Sequence, residues 1–176
     1  VSATVINSYA FFQERIVNGN FANLTGMTNN VASWWGRAVP FGWGTFVNVS
    51  TNDLLVRGYT PQTGPVFYAN LQGLTRSPQE AGGLLPFFQE FTMPATSDFI
   101  LSWNGSNPFN GNAWAMAANI FNRTTGQQLA VQPAFNTPQT VTLTASNVPA
   151  GHVVRINFWK GAAAQTPGLS NVSVIF

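Results

Sequence analysis

The chain has 176 residues, enough for one domain, and its 7% charged residues fall far below the roughly 25% of an average soluble domain. Seven Lys/Arg against five Asp/Glu give a net charge of only +2, so the sequence pI near 9.5 reflects scarce titrating groups rather than a basic surface. Absent cysteine excludes disulfides and thiolate metal sites, 45% hydrophobic residues exclude global disorder, and no apolar run approaches the roughly 18 residues of a membrane-spanning helix.

In chain order, Val1 to Asn7 lacks the basic segment and apolar run of a signal peptide, as expected of a cleaved mature end or of a chain that lost its initiator Met. Residues 1–15 are expected to form an N-terminal arm or edge strand, ahead of a domain spanning 16–176. Short β-branched or aromatic runs then alternate with Gly, Pro and Asn clusters. They predict strands at Phe46–Ser50, Leu54–Tyr59, Phe87–Met93, Phe99–Trp103, Trp114–Asn122, Thr140–Ala145, Val153–Trp159 and Asn171–Phe176. The Ala-rich stretch 112–119 is too short for periodicity to separate helix from strand. Thr140 to Thr144 alternates polar and apolar residues, as a strand with one solvated face does. Phe99-Ile100-Leu101 and Val153-Val154-Arg155-Ile156 are more uniformly apolar and suit central strands. Pro86, Pro94, Pro138 and Pro149 stand just outside these runs, where they stop a strand without deleting ladder hydrogen bonds. This spacing predicts an all-β fold, an antiparallel β-sandwich or jelly roll. N-x-S/T sequons at Asn23, Asn48, Asn104, Asn122 and Asn171 are what Asn-rich loops produce by chance.

Several landmarks stand in a familiar order. Ile16-Val17-Asn18-Gly19-Asn20-Phe21 resembles the N-terminal "vNGdFE" motif of galactose-binding-like jelly rolls, a superfamily that includes several carbohydrate-binding module families. Trp34-Trp35 follows where such domains often carry a tryptophan. Phe87 to Pro94 and then Phe99 to Trp103 resemble their "l-Q-x-f-x-v-P … y-x-L-s-f" strand pair, and Leu169 to Val174 is similar to their last strand. The resemblance implies a galactose-binding-like jelly roll over 16–176. In many such modules acidic residues of the first and last motifs help hold a structural calcium ion. The matching positions here are Asn20, Ala22 and Ser170, without a carboxylate, so no calcium and no other cofactor is expected.

Catalysis is not expected either. A glycosidase needs two carboxylates flanking the scissile bond, and only Glu14, Asp53, Glu80, Glu90 and Asp98 are available. Asp53 and Asp98 suit turns, and Glu90 falls on the strand face opposite Phe91, towards solvent. The single histidine, His152, lies in a turn, and no G-x-S-x-G elbow accompanies it. The cations Arg15, Arg37, Arg57, Arg76, Arg123, Arg155 and Lys160 are isolated, which argues against nucleic acid as a partner.

Recognition by shape remains. Sugars offer apolar faces to aromatic rings and hydroxyls to amide and guanidinium groups. Residues 34–46 gather Trp34, Trp35, Arg37, Phe41, Trp43 and Phe46, and Gly36, Gly42 and Gly44 argue against a rigid strand there. The polar loop 104–112 adds Asn107 and Phe109. These side chains serve either core and subunit packing or ligand stacking; the candidate glycan contacts are Trp34, Trp35, Arg37, Trp43, Asn107 and Phe109. Two functions fit. One is a non-catalytic structural or adhesion protein of an extracellular or virion-surface assembly, a decoration or fibre-type jelly roll partnered by copies of itself or other surface proteins, with glycan binding as an added capacity. Charge poverty favours it, because apolar surface without guarding charges is tolerable where neighbours bury it. The other is a stand-alone carbohydrate-binding module or lectin.

Overall fold

The computed structural model describes residues 14–22, 28–30, 35–37, 42–45, 55–59, 66–70, 87–106, 114–160 and 167–176. Among them are twelve strands and no helix. The strands are β1 (Thr28–Asn30), β2 (Trp35–Arg37), β3 (Gly44–Thr45), β4 (Leu55–Tyr59), β5 (Val66–Asn70), β6 (Phe87–Thr92), β7 (Ser97–Ser106), β8 (Met116–Asn122), β9 (Gln127–Phe135), β10 (Gln139–Val148), β11 (Val153–Lys160) and β12 (Gly168–Ile175). Every pairing is antiparallel. One sheet runs β1-β2-β4-β5-β12-β7-β10 and the other β3-β6-β11-β8-β9. The chain is an all-β antiparallel sandwich of the jelly-roll kind.

Alternation explains the layering. In β11, Val154, Ile156 and Phe158 enter the core, and in β8 Met116, Ala118 and Ile120 do the same. Across the gap, Phe99, Leu101 and Trp103 of β7 and Leu169, Val172 and Val174 of β12 complete the interior. Trp103 meets Phe158 edge-on with ring centroids 5.3 Å apart, and Phe91, Phe99 and Phe176 form a second edge-to-face group. The Ala-rich stretch resolves as strand from Met116 onward.

Five strands lie where no strand was expected. β2 and β3 fall inside the glycine-broken segment 34–46, which corrects the expectation that its glycines prevent strand formation. A β-carbon on Gly44 would come within 2.8 Å of the Phe88 ring, so the missing side chain lets that ring cross β3. β1 and β5 are the next two, and β9 is the fifth. β9 is polar and contains Pro133, and it is an edge strand, where a residue without an N–H is tolerated. The expected strand Phe46–Ser50 lies outside the described residues, as do residues 1–13 of the expected arm. Glu14 bridges Ile175, and Arg15 N–H donates to the Val174 carbonyl, so this end of the arm is tied to β12.

The short motifs spread along the sequence meet at one corner. Val17 to Asn20 form a turn with Asn18 at φ 55°. Gln89, buried on β6, receives the Val17 N–H at 2.7 Å and donates to the Val17 carbonyl at 2.9 Å. Val172 N–H donates to the Gly19 carbonyl at 2.9 Å, and a β-carbon on Gly19 would collide with the Val172 carbonyl. The first motif, the β6 glutamine and the last strand are thus three parts of one clasp.

Candidate functional site

On the five-stranded sheet, the residues that do not enter the core face outward. They include Phe88 and Glu90 on β6, Arg155, Asn157 and Trp159 on β11, Asn119 and Phe121 on β8, and Gln128 and the exposed Val131 on β9. Register sets them in rows: Glu90 opposite Arg155 and Phe121, and Phe88 opposite Asn157 and Asn119. Adjacent rows are two residues apart along each strand, about 7 Å.

Outward-facing polar groups are ordinarily solvated, but here Arg155 and Asn157 are each only 7% exposed and Asn119 only 5%. A buried amide without a partner costs about 1–3 kcal/mol, so these groups need pairing. Three amides pair in sequence: Asn157 Nδ2 donates to Asn119 Oδ1 at 2.7 Å, and Asn119 Nδ2 donates to Gln128 Oε1 at 3.0 Å. The row is left open at one end, because Asn157 Oδ1 is buried with no hydrogen-bond partner. Beside it, the Arg155 guanidinium lies over the Phe88 ring at 4.3 Å and donates through Nε to Glu90 Oε1 at 2.7 Å. Half-buried rings of Phe88, Phe121 and Trp159 accompany the polar row. Amides with ring neighbours suit a polyhydroxylated, uncharged framework, whose hydroxyls both donate and accept.

The same geometry carries little machinery for bond cleavage. Glu90 is the one carboxylate at this face among the described residues, and it is bound to two arginines. Asp98 accepts the Asn147 N–H at 2.7 Å on β7 of the other sheet. Glu14 is surrounded by donors: its Oε1 accepts the N–H groups of Arg15, Ile16 and Val174 at 2.8–2.9 Å, and its Oε2 accepts the Ser173 hydroxyl. It therefore turns its lone pairs to donors, although a hollow of about 400 Å³ beside it is lined by Asn18, Asn20 and Asn171. Among the described residues no three His, Cys, Asp or Glu side chains converge as a metal site would require. His152 Nδ1 lies 2.9 Å from Asn122 Nδ2, at the turn joining β10 to β11.

The residues picked from sequence fare unevenly. Trp43 is a correction: it is 8% exposed, stacked on Phe87 at 4.4 Å, 5.4 Å from Phe21, and its Nε1 donates to the Asn18 carbonyl. A ring held on both its apolar and polar sides belongs to the core and has no face to offer a ligand. Trp35 and Arg37 lie on β2 of the seven-stranded sheet, a different sheet from the amide row, with only their backbone described. Trp34, Asn107 and Phe109 lie outside the described residues. The expected loop 104–112 begins as strand, since β7 continues through Ser106. Asn104 to Ser106 there line a polar cleft of about 310 Å³ with Gln139, Thr140 and Ser170. One sequon closes: Asn122 is buried, and its side chain holds the Thr124 and Thr125 N–H groups and His152.

Sequence reasoning missed Asn119, Gln128, Arg155 and Asn157. A signal for two of them was present in Val154 to Trp159, where Arg155, Asn157 and Trp159 alternate with Val154, Ile156 and Phe158.

No family model and no curated protein matches the chain. Solved structures match its fold. A structure described as "CBM4 structure and function" is 19% identical with TM-score 0.57, covering 92% of this chain and 99% of its own. TmCBM61, solved in complex with β-1,4-galactotriose, is 9% identical with TM-score 0.54, covering 92% and 97%. The enzymatically active domain of bacteriophage CBA120 tailspike protein 4 is 16% identical with TM-score 0.51 and covers 93% of this chain but only 21% of that one. At these identities the likeness is one of fold.

Proposed function

We propose that this protein binds carbohydrate, without cleaving it, on the outer face of the five-stranded sheet. The observation that carries the reading is the amide row ending in Asn157 Oδ1, a buried acceptor with no partner. Leaving such an atom unpaired lowers stability; it is closed to solvent, so a ligand hydroxyl reaches it by displacing the side chains around it, and the bond then removes that cost. Gln128, at the exposed end of the row, has an amide N–H pair to offer a neighbouring hydroxyl, and the half-buried ring of Phe121 gives an apolar sugar face a surface. Carbohydrate-binding modules among the fold neighbours support this reading over the assembly reading. For the tailspike, the likeness extends to a fifth of that chain. Glycan recognition on a polymer implies a place outside the cell or at a surface.

The test is a glycan array followed by titration of the best ligand. Wild-type protein is expected to give saturable binding, and Asn157→Ala to weaken it by at least about tenfold, a loss of roughly 1.4 kcal/mol. Unchanged affinity in that variant would move the site elsewhere.

A further inference from the structure

Beside the amides, two guanidiniums gather around one carboxylate. Arg155 contacts Glu90 Oε1 through Nε and Nη2, each at 2.7 Å, and Arg123 Nε lies 3.2 Å from the same oxygen. Among the described residues, two guanidiniums thus meet at one carboxylate oxygen. In a chain with seven cations in all, two of them here is a notable concentration.

The two arginines differ in what they leave over. Arg155 is sunk, its side chain 9% exposed and laid on Phe88, whereas the Arg123 side chain is 47% exposed. Arg123 is engaged through Nε alone among the described residues, which leaves its two terminal nitrogens without a partner there. Its backbone is fixed as well. Its N–H donates to the Val153 carbonyl at 2.8 Å, and it begins the tight β8–β9 turn closed by Gly126 N–H on the Asn122 carbonyl. Asn122 Oδ1 further holds that turn through the Thr124 and Thr125 N–H groups. A guanidinium anchored at both backbone and Nε presents a planar pair of N–H donors at low entropic cost, the arrangement that receives a carboxylate in two parallel bonds. Arg123 stands four residues beyond Asn119, two rows and about 13 Å along the strands from the amide row, a span of two to three rings of a polymer.

Resting on the carbohydrate reading, we infer that the ligand is an acidic glycan, a polymer containing uronic-acid residues, whose carboxylate is received by Arg123 while ring hydroxyls meet the Asn157–Asn119–Gln128 row. A sulfate ester would meet the same charge, but the planar fork favours the planar anion.

The experiment titrates the full chain with polygalacturonate, alginate and hyaluronate, each beside its carboxyl-reduced neutral form, and with dextran sulfate, at two salt concentrations. At least one uronate polymer is expected to bind about tenfold or more tightly than its reduced form, with affinity falling as salt rises. Arg123→Gln is expected to bring that ratio close to one, and Arg123→Lys to retain part of it. Thermal unfolding of each variant checks that the half-exposed side chain has been changed without loss of the fold. Equal binding of acidic and reduced forms, or an Arg123→Gln variant with the ratio intact, overturns the inference and leaves carbohydrate binding standing. Dextran sulfate bound as tightly as every uronate polymer also overturns it, in favour of unspecific charge. Failure of these polymers and of every neutral array glycan to bind overturns both readings.

Discussion

Both outer faces of the sandwich carry polar side chains, and β10 of one sheet leaves its hydroxyls in water where β8 and β11 of the other bury their amides. On the seven-stranded sheet, Thr142 and Thr144 of β10 stand in solvent, beside Ile100 at 49% exposure and Ile175 at 39%. Hydroxyls of this kind keep their water and say little about function. On the five-stranded sheet, Arg155, Asn157 and Asn119 are buried, wired to one another or to neighbours, and one acceptor is left over. Polarity alone does not mark a site. Polarity that has lost its water, with an unpaired atom at its end, does.

Substitutions on the two sheets test this contrast. The largest effect is expected beneath the polar face, where Phe158 is fully buried against Trp103 and Trp43. Phe158→Ala should lower stability by about 3–5 kcal/mol in denaturant unfolding, since the cavity adds to the lost burial. Next comes the corner clasp, whose damage should spare the binding face. Gln89→Ala strands both the N–H and the carbonyl of Val17 and should cost about 1–3 kcal/mol, with glycan affinity per folded molecule unchanged. Asn157→Ala should divide stability from binding: it removes one unpaired acceptor but leaves Asn119 Oδ1 without its donor, so unfolding free energy should fall by about 1–2 kcal/mol. Its ligand affinity should nevertheless fall at least about tenfold. The smallest effect belongs to the solvated face, where Thr142→Ala should stay within about 0.5 kcal/mol and bind normally.

Much of the fold was legible because strand alternation and turn residues are local signals. Val153–Trp159 and Phe87–Met93 were expected nearly where β11 and β6 lie, and Glu90 was expected on the outer face where it stands. β9 was missed because an edge strand needs only one ladder and one apolar face, so Gln127, Gln128, Gln132 and Pro133 hide it among loop-like residues. The site was harder. Asn119 and Asn157 are 38 positions apart and become a pair only when β8 and β11 align, a register that no single segment encodes. Searching loops for aromatic rings led instead to Trp43, which glycine neighbours made look displayed; in fact, those glycines permit close packing by Val17 and Phe88. The motif resemblance, by contrast, has a physical content: Asn18-Gly19, Gln89 and Asn171-Val172 meet at one clasp, which joins the chain's start to both sheets.

The central claim is that the buried amide row receives a sugar hydroxyl at Asn157 Oδ1. Calorimetric titration of the best array glycan into wild type, Asn157→Ala and Thr142→Ala tests it most directly. Wild type and Thr142→Ala are expected to give saturable heat with the same affinity, and a folded Asn157→Ala a loss of at least about tenfold. Equal affinity in all three proteins, or no glycan bound by wild type, would contradict it.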